Sequence, residues 1–313
     1  MAEGDARTSF VRPAFAAHRR AVLVPVGIGV LVTSASLTTT ALGDAPAVRE
    51  WRFVAGKHWQ VKSDPGEAPA TTDAREGNRG KCTEGMVEVR GQFKLMPNGD
   101  GLQQTTCKKW ISRTFPERCA EFDRDKWLAL SKDVKTREMA FCIDRFEYPN
   151  RKGEYPVILL DWNEAGALCK QEKKRLCTED EWTFACEGEE AVPYPYGYTR
   201  DADACLVDRP WRPFAGTWIK HGRGSEQTRR ELDGLWQGLP SGAQPKCRSP
   251  FGVYDMVGNV DEWTRSVLPG RPSILKGGYW GPVRTRCRPS TRAHGETHVF
   301  YQEGVRCCTD AVK

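Results

Sequence analysis

A chain of 313 residues is long enough for one large domain or two ordinary ones. Only 39% of its residues are hydrophobic, against 30 Gly and 20 Pro, which favours a loop-rich fold over a helical bundle. The formal net charge of +6 is spread along the chain without a concentrated basic stripe, so nucleic acid is not an expected partner. The twelve cysteines are even in number and lack the CxxC and Cys/His spacings of zinc sites. Pairing into disulfides in an oxidising compartment is therefore expected, with the partners open at this point.

At the N-terminus, residues 1–20 are basic and end in Arg19-Arg20, followed by an apolar run from Ala21 to Val32 that fades through Ser and Thr to Gly43. Segment 21–43 is long enough to span a bilayer, which takes about 20 residues. It also reads as a signal peptide with a small-residue exit at Ala45-Pro46-Ala47. Either way the arginines stay in the cytoplasm and the rest is exported. The protein is then membrane-anchored through this segment with its domain outside, or periplasmic or secreted if the segment is cleaved. Residues 44–81 are polar, with no sustained periodicity, and read as a linker. Trp51, Phe53 and Trp59 are unusual for a pure linker, so part of it is expected to lie against the domain.

Further on, Met139 to Tyr148 reads as a strand ending in Asp144-Arg145-Phe146-Glu147. Asp161 is placed to cap a helix that carries Ala165, Leu168 and Cys169 on one face. Thr178, with Glu181 three residues on, forms a capping-box signature for a second short helix, Glu179 to Glu187, with Trp182 and Ala185 facing the core. From Pro193 to Arg248 the pattern is irregular.

Arg175-Leu176-Cys177-Thr178-Glu179-Asp180-Glu181-Trp182-Thr183-Phe184-Ala185 resembles the RLPTEAEWEYA signature of the formylglycine-generating enzyme family, also called sulfatase-modifying factors. Phe251-Gly252-Val253-Tyr254-Asp255-Met256-Val257-Gly258-Asn259-Val260-Asp261-Glu262-Trp263 resembles the same family's GLYDMxGNVWEW block. The resemblance covers roughly residues 82–308, leaving 309–313 as a tail. It implies an α+β, loop-rich variant of the C-type lectin fold, with short helices, antiparallel strands, disulfides and bound calcium. Met86–Val89 and Phe93–Met96, on either side of Gly91, resemble the family's opening strand pair. Residues 102–135, with Cys107, Trp110, Cys119 and Trp127, do not match the usual opening and read as an insertion pinned by disulfides.

Carried over residue by residue, the resemblance assigns calcium to the side chains of Asp255 and Glu262 and the carbonyls of Gly258 and Val260. Oxygen donors of this kind suit a hard cation. A second calcium site near Asp201 to Asp208 is not expected, because Cys205 stands where an asparagine is usual. The family's enzymes bind copper(I) through a cysteine pair just after a Gly-Gly-Ser segment and use oxygen to convert a substrate cysteine to an aldehyde. Soft thiolates are the right ligands for copper(I), but the matching stretch, Lys276 to Cys287, is short and holds one cysteine. The family's disulfides imply Cys169–Cys307 and Cys186–Cys287, which leaves no thiolate for copper. A competing alignment puts Cys287 on one catalytic position and Pro282 on the other, leaving a single ligand. Copper is not expected under either. The partners of Cys82, Cys107, Cys119, Cys142, Cys177, Cys205, Cys247 and Cys308 stay open.

Two further clusters stand out. His294, Glu296 and His298 suggest a metal site, but Gly295 and a turn-like context argue against a helix, and HExxH is absent. Tyr279, Trp280, Arg284, Arg286, Arg288 and Arg292 have the aromatic-plus-arginine composition of a binding cleft. The alternative is that these arginines form internal ion pairs with Glu179, Asp180 or Glu296. The expectation is an exported, non-catalytic, calcium-stabilised binding module for peptide or glycan. The first alternative is a copper- and oxygen-dependent formylglycine-generating oxidase acting on a sulfatase cysteine; the second is a structural envelope component.

Overall fold

A computed structural model describes residues 49–63, 82–96, 99–114, 118–283 and 285–311. The readings of 1–20 and 21–43 fall outside these residues.

The folded unit begins earlier than Cys82. Strands β1 (Trp51–Val54) and β2 (His58–Val61) form an antiparallel hairpin. The chain reverses through Ala55 and Gly56, both at positive φ. Trp51 and Trp59 are buried with Ile158, Leu235 and Trp236, and their indole N–H groups donate to Asp233 (3.2 Å) and the Arg223 carbonyl (2.7 Å). The linker reading of 44–81 thus gives way over this stretch, where the aromatics had pointed to contact with the domain: Trp51 and Trp59 are core residues, while Phe53 stays exposed.

The two stretches flanking Gly91 are one strand, β3 (Met86–Lys94), paired along its whole length with β6 (Thr136–Asp144). Gly91, at φ 147°, lets the strand pass the side chain of Glu189, whose carboxylate accepts the Gln92 N–H (2.7 Å). A Cβ there would collide with that carboxylate. The sheet has the order β3-β6-β12-β7, with β7 at Arg175–Leu176 and β12 at Cys307–Asp310. Residues 309 and 310 therefore belong to a strand rather than to a tail. A second four-stranded sheet runs β10 (Ser290–Thr291), β9 (Ser273–Lys276), β8 (Asp261–Arg265), β11 (Glu303–Gly304).

The stretch read as an insertion holds α1 (Gly99–Thr106), β4 (Cys107–Ser112), β5 (Arg118–Phe122) and α2 (Arg124–Ser131). A Cys107–Cys119 disulfide closes the β4–β5 hairpin, and Asp123 caps α2 through the Lys126 N–H. Helix α3 (Trp162–Gln171) starts at Asp161 with a complete capping box and buries Ala165, Leu168 and Cys169. Helix α4 (Glu179–Glu187) starts the same way at Thr178 and sinks Trp182, Phe184 and Ala185 into the core.

The irregular stretch contains two helices that the sequence reading missed, α5 (Thr217–Lys220) and α6 (Glu226–Leu235). Their signal was present in α6: Ser225 caps the Thr228 N–H, and Thr228, Leu232 and Leu235 return to the buried face at helical spacing. Six disulfides join all twelve cysteines: Cys82–Cys142, Cys107–Cys119, Cys169–Cys307, Cys177–Cys308, Cys186–Cys287 and Cys205–Cys247.

Candidate functional site

The loop that follows β9 turns through Gly277 and Gly278, both at positive φ, and reaches Cys287. Cys287 is bonded to Cys186 on α4, and Cys169 on α3 is bonded to Cys307 on β12. With every cysteine in a disulfide, the residues present do not fit copper(I), which needs thiolates.

The side chains read from sequence as a cleft are largely turned inward. Trp280 is buried, its ring 4.9 Å from that of Trp236. Arg286 is buried and donates to Gln103 on α1. Arg288 grips Glu187 with two hydrogen bonds (2.7 and 2.5 Å) and gives a third to the Lys94 carbonyl (2.9 Å). Arg292 pairs with Glu179 (2.7 Å). For Arg292 the internal-pair alternative describes the molecule with a partner it named, Glu179; Arg288 is also paired internally, but with Glu187, which it did not name, and Arg286 and Trp280 are excluded from a ligand-facing set by burial. Tyr279 is half-buried against Tyr301, and Arg284 lies outside the described residues. Behind the loop, burial pushes the Lys276 ammonium down to about 7, against the pull of Glu179 and Glu187. Its Nζ donates to the Arg288 carbonyl (2.8 Å) and lies over the Trp182 ring.

A buried charge cluster includes the two calcium-assigned carboxylates, Asp255 and Glu262. Both oxygens of Glu262 accept from Arg306 (2.6 Å each), and one also accepts the Trp182 indole N–H (2.6 Å). Asp255, at φ 57°, accepts the Gly242 N–H (2.6 Å). Glu147, which the sequence reading did not single out, accepts from Asn259 (2.7 Å), Ser241 (3.0 Å) and the Val260 N–H (3.3 Å). Three buried carboxylates thus surround one guanidinium. Burial pushes Asp255 up to about 7, and burial plus the charges of Asp255 and Glu262 drive Glu147 well above the carboxylate range. The donor chemistry, all oxygen with excess negative charge, fits a hard cation at Asp255 and the Gly258 and Val260 carbonyls. Glu262 is the exception: a cation there would have to share a carboxylate that Arg306 already holds. Near the other segment considered for calcium, Asp208 pairs with Arg200 and Arg118, Asp201 pairs with Lys246, and Cys205 is in a disulfide.

A different face carries exposed aromatics. Trp211 and Phe214 are 57% and 42% exposed on the loop before α5. Phe214 packs edge-on against Phe300 (4.7 Å) and stacks on Trp218 (5.9 Å), and Phe300 adjoins Tyr301 and so Tyr279. The loop is held from below by Glu231 of α6, whose carboxylate accepts the backbone N–H groups of Ala215, Gly216 (2.9 Å) and Thr217 (2.6 Å). The sequence reading missed this set; its signal was two bulky aromatics spaced by prolines in Pro210-Trp211-Arg212-Pro213-Phe214. Beside it, His294 and His298 stack face to face, and the carboxylate that joins them is that of Glu303. Glu296 instead accepts Asn163 through its backbone carbonyl (3.0 Å).

Short capped helices, two small sheets and a full set of disulfides define an α+β domain of the sulfatase-modifying-factor kind. The family model of the sulfatase-modifying factor enzyme 1-like domain matches residues 103–311, more than half of the chain, and the chain belongs to that family. The match takes in nearly all of the stretch read as an insertion. Among relatives, the chain is 33% identical over 171 residues to the inactive C-alpha-formylglycine-generating enzyme 2 of Bos taurus, covering 51% of this chain and 52% of that protein. It is 32% identical over 114 residues to the formylglycine-generating enzyme of Mus musculus, covering 36% of this chain and 27% of that protein. The chain thus spans about half, or less, of the length of these relatives. Among solved structures it is similar to CarF, at 15% identity and a TM-score of 0.43, over 72% of this chain and 98% of that one.

Proposed function

We propose that this chain is an exported, non-catalytic member of its family that serves as a calcium-stabilised binding module for a peptide or glycan. The observation that carries the reading is the Cys186–Cys287 disulfide, which leaves no thiol in the loop where the family's oxidases hold copper. Similarity to a protein named as an inactive formylglycine-generating enzyme agrees with it. Six disulfides are compatible with export. Among the described residues no helix is long and apolar enough to cross a membrane, so an anchor would rest on residues 21–43.

The ligand surface in this reading is the aromatic face of Trp211, Phe214, Phe300 and Tyr279. Flat rings presented with low conformational freedom suit both sugar faces and apolar peptide side chains. Calcium would be held by Asp255 with the Gly258 and Val260 carbonyls and one shared oxygen of Glu262, and its charge would balance the excess of buried carboxylates.

The test screens the exported chain against peptide and glycan arrays, with copper-dependent conversion of a cysteine peptide to formylglycine assayed in parallel. Specific capture that is lost in Trp211→Ala and Phe214→Ala supports the module. Turnover by the fully disulfide-bonded protein would overturn the non-catalytic reading and favour the oxidase. Calcium is checked separately: EGTA should lower the melting temperature and calcium restore it, whereas an unchanged melt would remove calcium from the proposal.

A further inference from the structure

The segment between β10 and β11 brings together groups that the binding reading does not use. His294 and His298 are four residues apart, but no helix connects them: a turn closed by the His298 N–H on the Gly295 carbonyl (3.1 Å) brings them together. Their rings stack nearly parallel, 3.8 Å between centroids. The third group arrives from β11. Glu303 is buried, and one oxygen of its carboxylate is fixed by the Phe300 N–H (2.8 Å) while the other lies 3.2 Å from His298 Nε2. One ligand atom from each of the three residues falls within 4.8 Å of the others.

The electrostatic setting favours a cation here. Glu303 sits near Asp261 and Asp161, and the nearby guanidinium, Arg223, is already engaged by Glu164 (2.5 Å) and Asp161 (3.7 Å). Among the described residues the His294 ring has no hydrogen-bond partner, so its nitrogens are uncommitted. Two imidazoles and a carboxylate suit zinc(II) and its first-row neighbours rather than calcium or copper(I). Both histidines are only partly buried, which leaves room for a further ligand on the solvent side.

We propose that His294, His298 and Glu303 bind a divalent first-row transition-metal ion once one imidazole turns out of the stack, so that both in-plane lone pairs meet the ion, with zinc(II) as the reference ion and a coordination position left for water or an anionic ligand group. The sequence pattern pointed to the two histidines; Glu303, rather than Glu296, completes the set, because β11 begins at Glu303 and its carboxylate lies against His298 Nε2. The site is separate from the buried carboxylates around Arg306 and does not depend on the peptide or glycan reading.

The test uses the full chain without a histidine tag, stripped with EDTA and held in excess calcium. Zinc(II) is titrated calorimetrically, and cobalt(II) is followed by its visible absorption. The expected result is one zinc ion per chain that calcium does not displace, with a cobalt spectrum of low coordination number. His294→Ala and His298→Ala should each weaken zinc by about 10-fold or more, within the range of losses seen when metal-site support is removed. Glu296→Gln should leave affinity unchanged. Because Glu303→Gln risks the fold, the two histidine variants, on the partly exposed side, carry the decision, with thermal melts confirming that they fold. Failure of zinc to bind, or one-to-one binding that survives the double variant His294→Ala/His298→Ala, overturns the site.

Discussion

Around Cys287 nearly every group that could meet a ligand is committed inside the protein. The cysteine is in a disulfide, Arg288 holds Glu187, Arg286 is buried on Gln103, and Trp280 is packed on Trp236. Around Phe214 the same residue types are presented outward: Trp211 and Phe214 are exposed, and the loop that carries them is anchored through its backbone by Glu231. Both regions are rich in aromatic and arginine residues, so composition does not separate them. What separates them is the supply of buried partners. A helix-borne glutamate, Glu187, waits under the first loop to neutralise an arginine. Under the second, a helix-borne glutamate binds peptide N–H groups, Arg212 is held by the Gly234 and Trp236 carbonyls, and Trp211 and Phe214 stay exposed.

The largest effect is expected at the fully buried Glu262–Arg306 pair. Glu262→Ala would leave the Arg306 guanidinium, fully buried, without its carboxylate. Breaking a buried pair in this way costs about 3–5 kcal/mol. Arg292→Ala, which removes a half-exposed partner of Glu179, should cost about 1 kcal/mol or less. Urea denaturation of both variants checks the contrast; equal losses would mean that burial does not distinguish the two pairs.

Next in size is the disulfide that closes the loop. The double variant Cys186→Ala/Cys287→Ala opens a loop of 101 residues and should lose about 2–4 kcal/mol. Binding at the aromatic face should survive at temperatures where the variant stays folded. If binding disappears while the melt still shows a folded domain, the two regions are coupled, and the division between them fails.

Much of this arrangement was legible in the chain, for reasons that differ from residue to residue. The capping boxes at Asp161 and Thr178 are local chemistry, so the helices they start lie where the sequence put them. Helix α6 obeys the same rules, yet Gly, Pro and Arg on either side hid its cap at Ser225 and its buried Leu232 and Leu235. The roles of Arg286 and Arg288 could not be read locally. They depend on Gln103 and Glu187, 183 and 101 residues away in sequence. Glu147 escaped notice for the same reason, since only folding brings it to Asn259, 112 residues on. The outward set at Trp211 and Phe214 was visible as bulky aromatics in a polar, proline-spaced loop, but a loop without periodicity gives no sign of which way its side chains face.

Protonation gives a smaller and reversible handle on the buried interior. Asp144 is fully buried, accepts Lys174 (2.8 Å) and the Cys307 N–H (3.1 Å), and burial raises it to about 6 even so. Its folded value lies above its unfolded one. The stability it contributes is therefore complete below about pH 4 and is lost as pH rises through about 6, a span worth up to about 3 kcal/mol. Denaturation midpoints across that window, in EDTA, should fall more steeply for the wild type than for Asp144→Asn. The reverse order would mean that Lys174 dominates the site and holds the carboxylate ionised.

The smallest stability effect belongs to the open face, and there it is the absence of a change that informs. Trp211 is more than half exposed and meets Phe214 edge-on, so Trp211→Ala should alter stability by no more than about 0.5 kcal/mol. Phe214→Ala removes packing against Phe300 and Trp218 and should cost somewhat more, still well short of Glu262→Ala. A residue that contributes so little to folding is worth keeping on the surface only if it meets something else, because exposed aromatics invite nonspecific association. The two variants therefore read binding almost free of folding. Loss of ligand capture with an unchanged melt would assign the face to recognition. A melt lowered as far as in Cys186→Ala/Cys287→Ala would instead make Trp211 and Phe214 part of the core, and the contrast between the two regions would not stand.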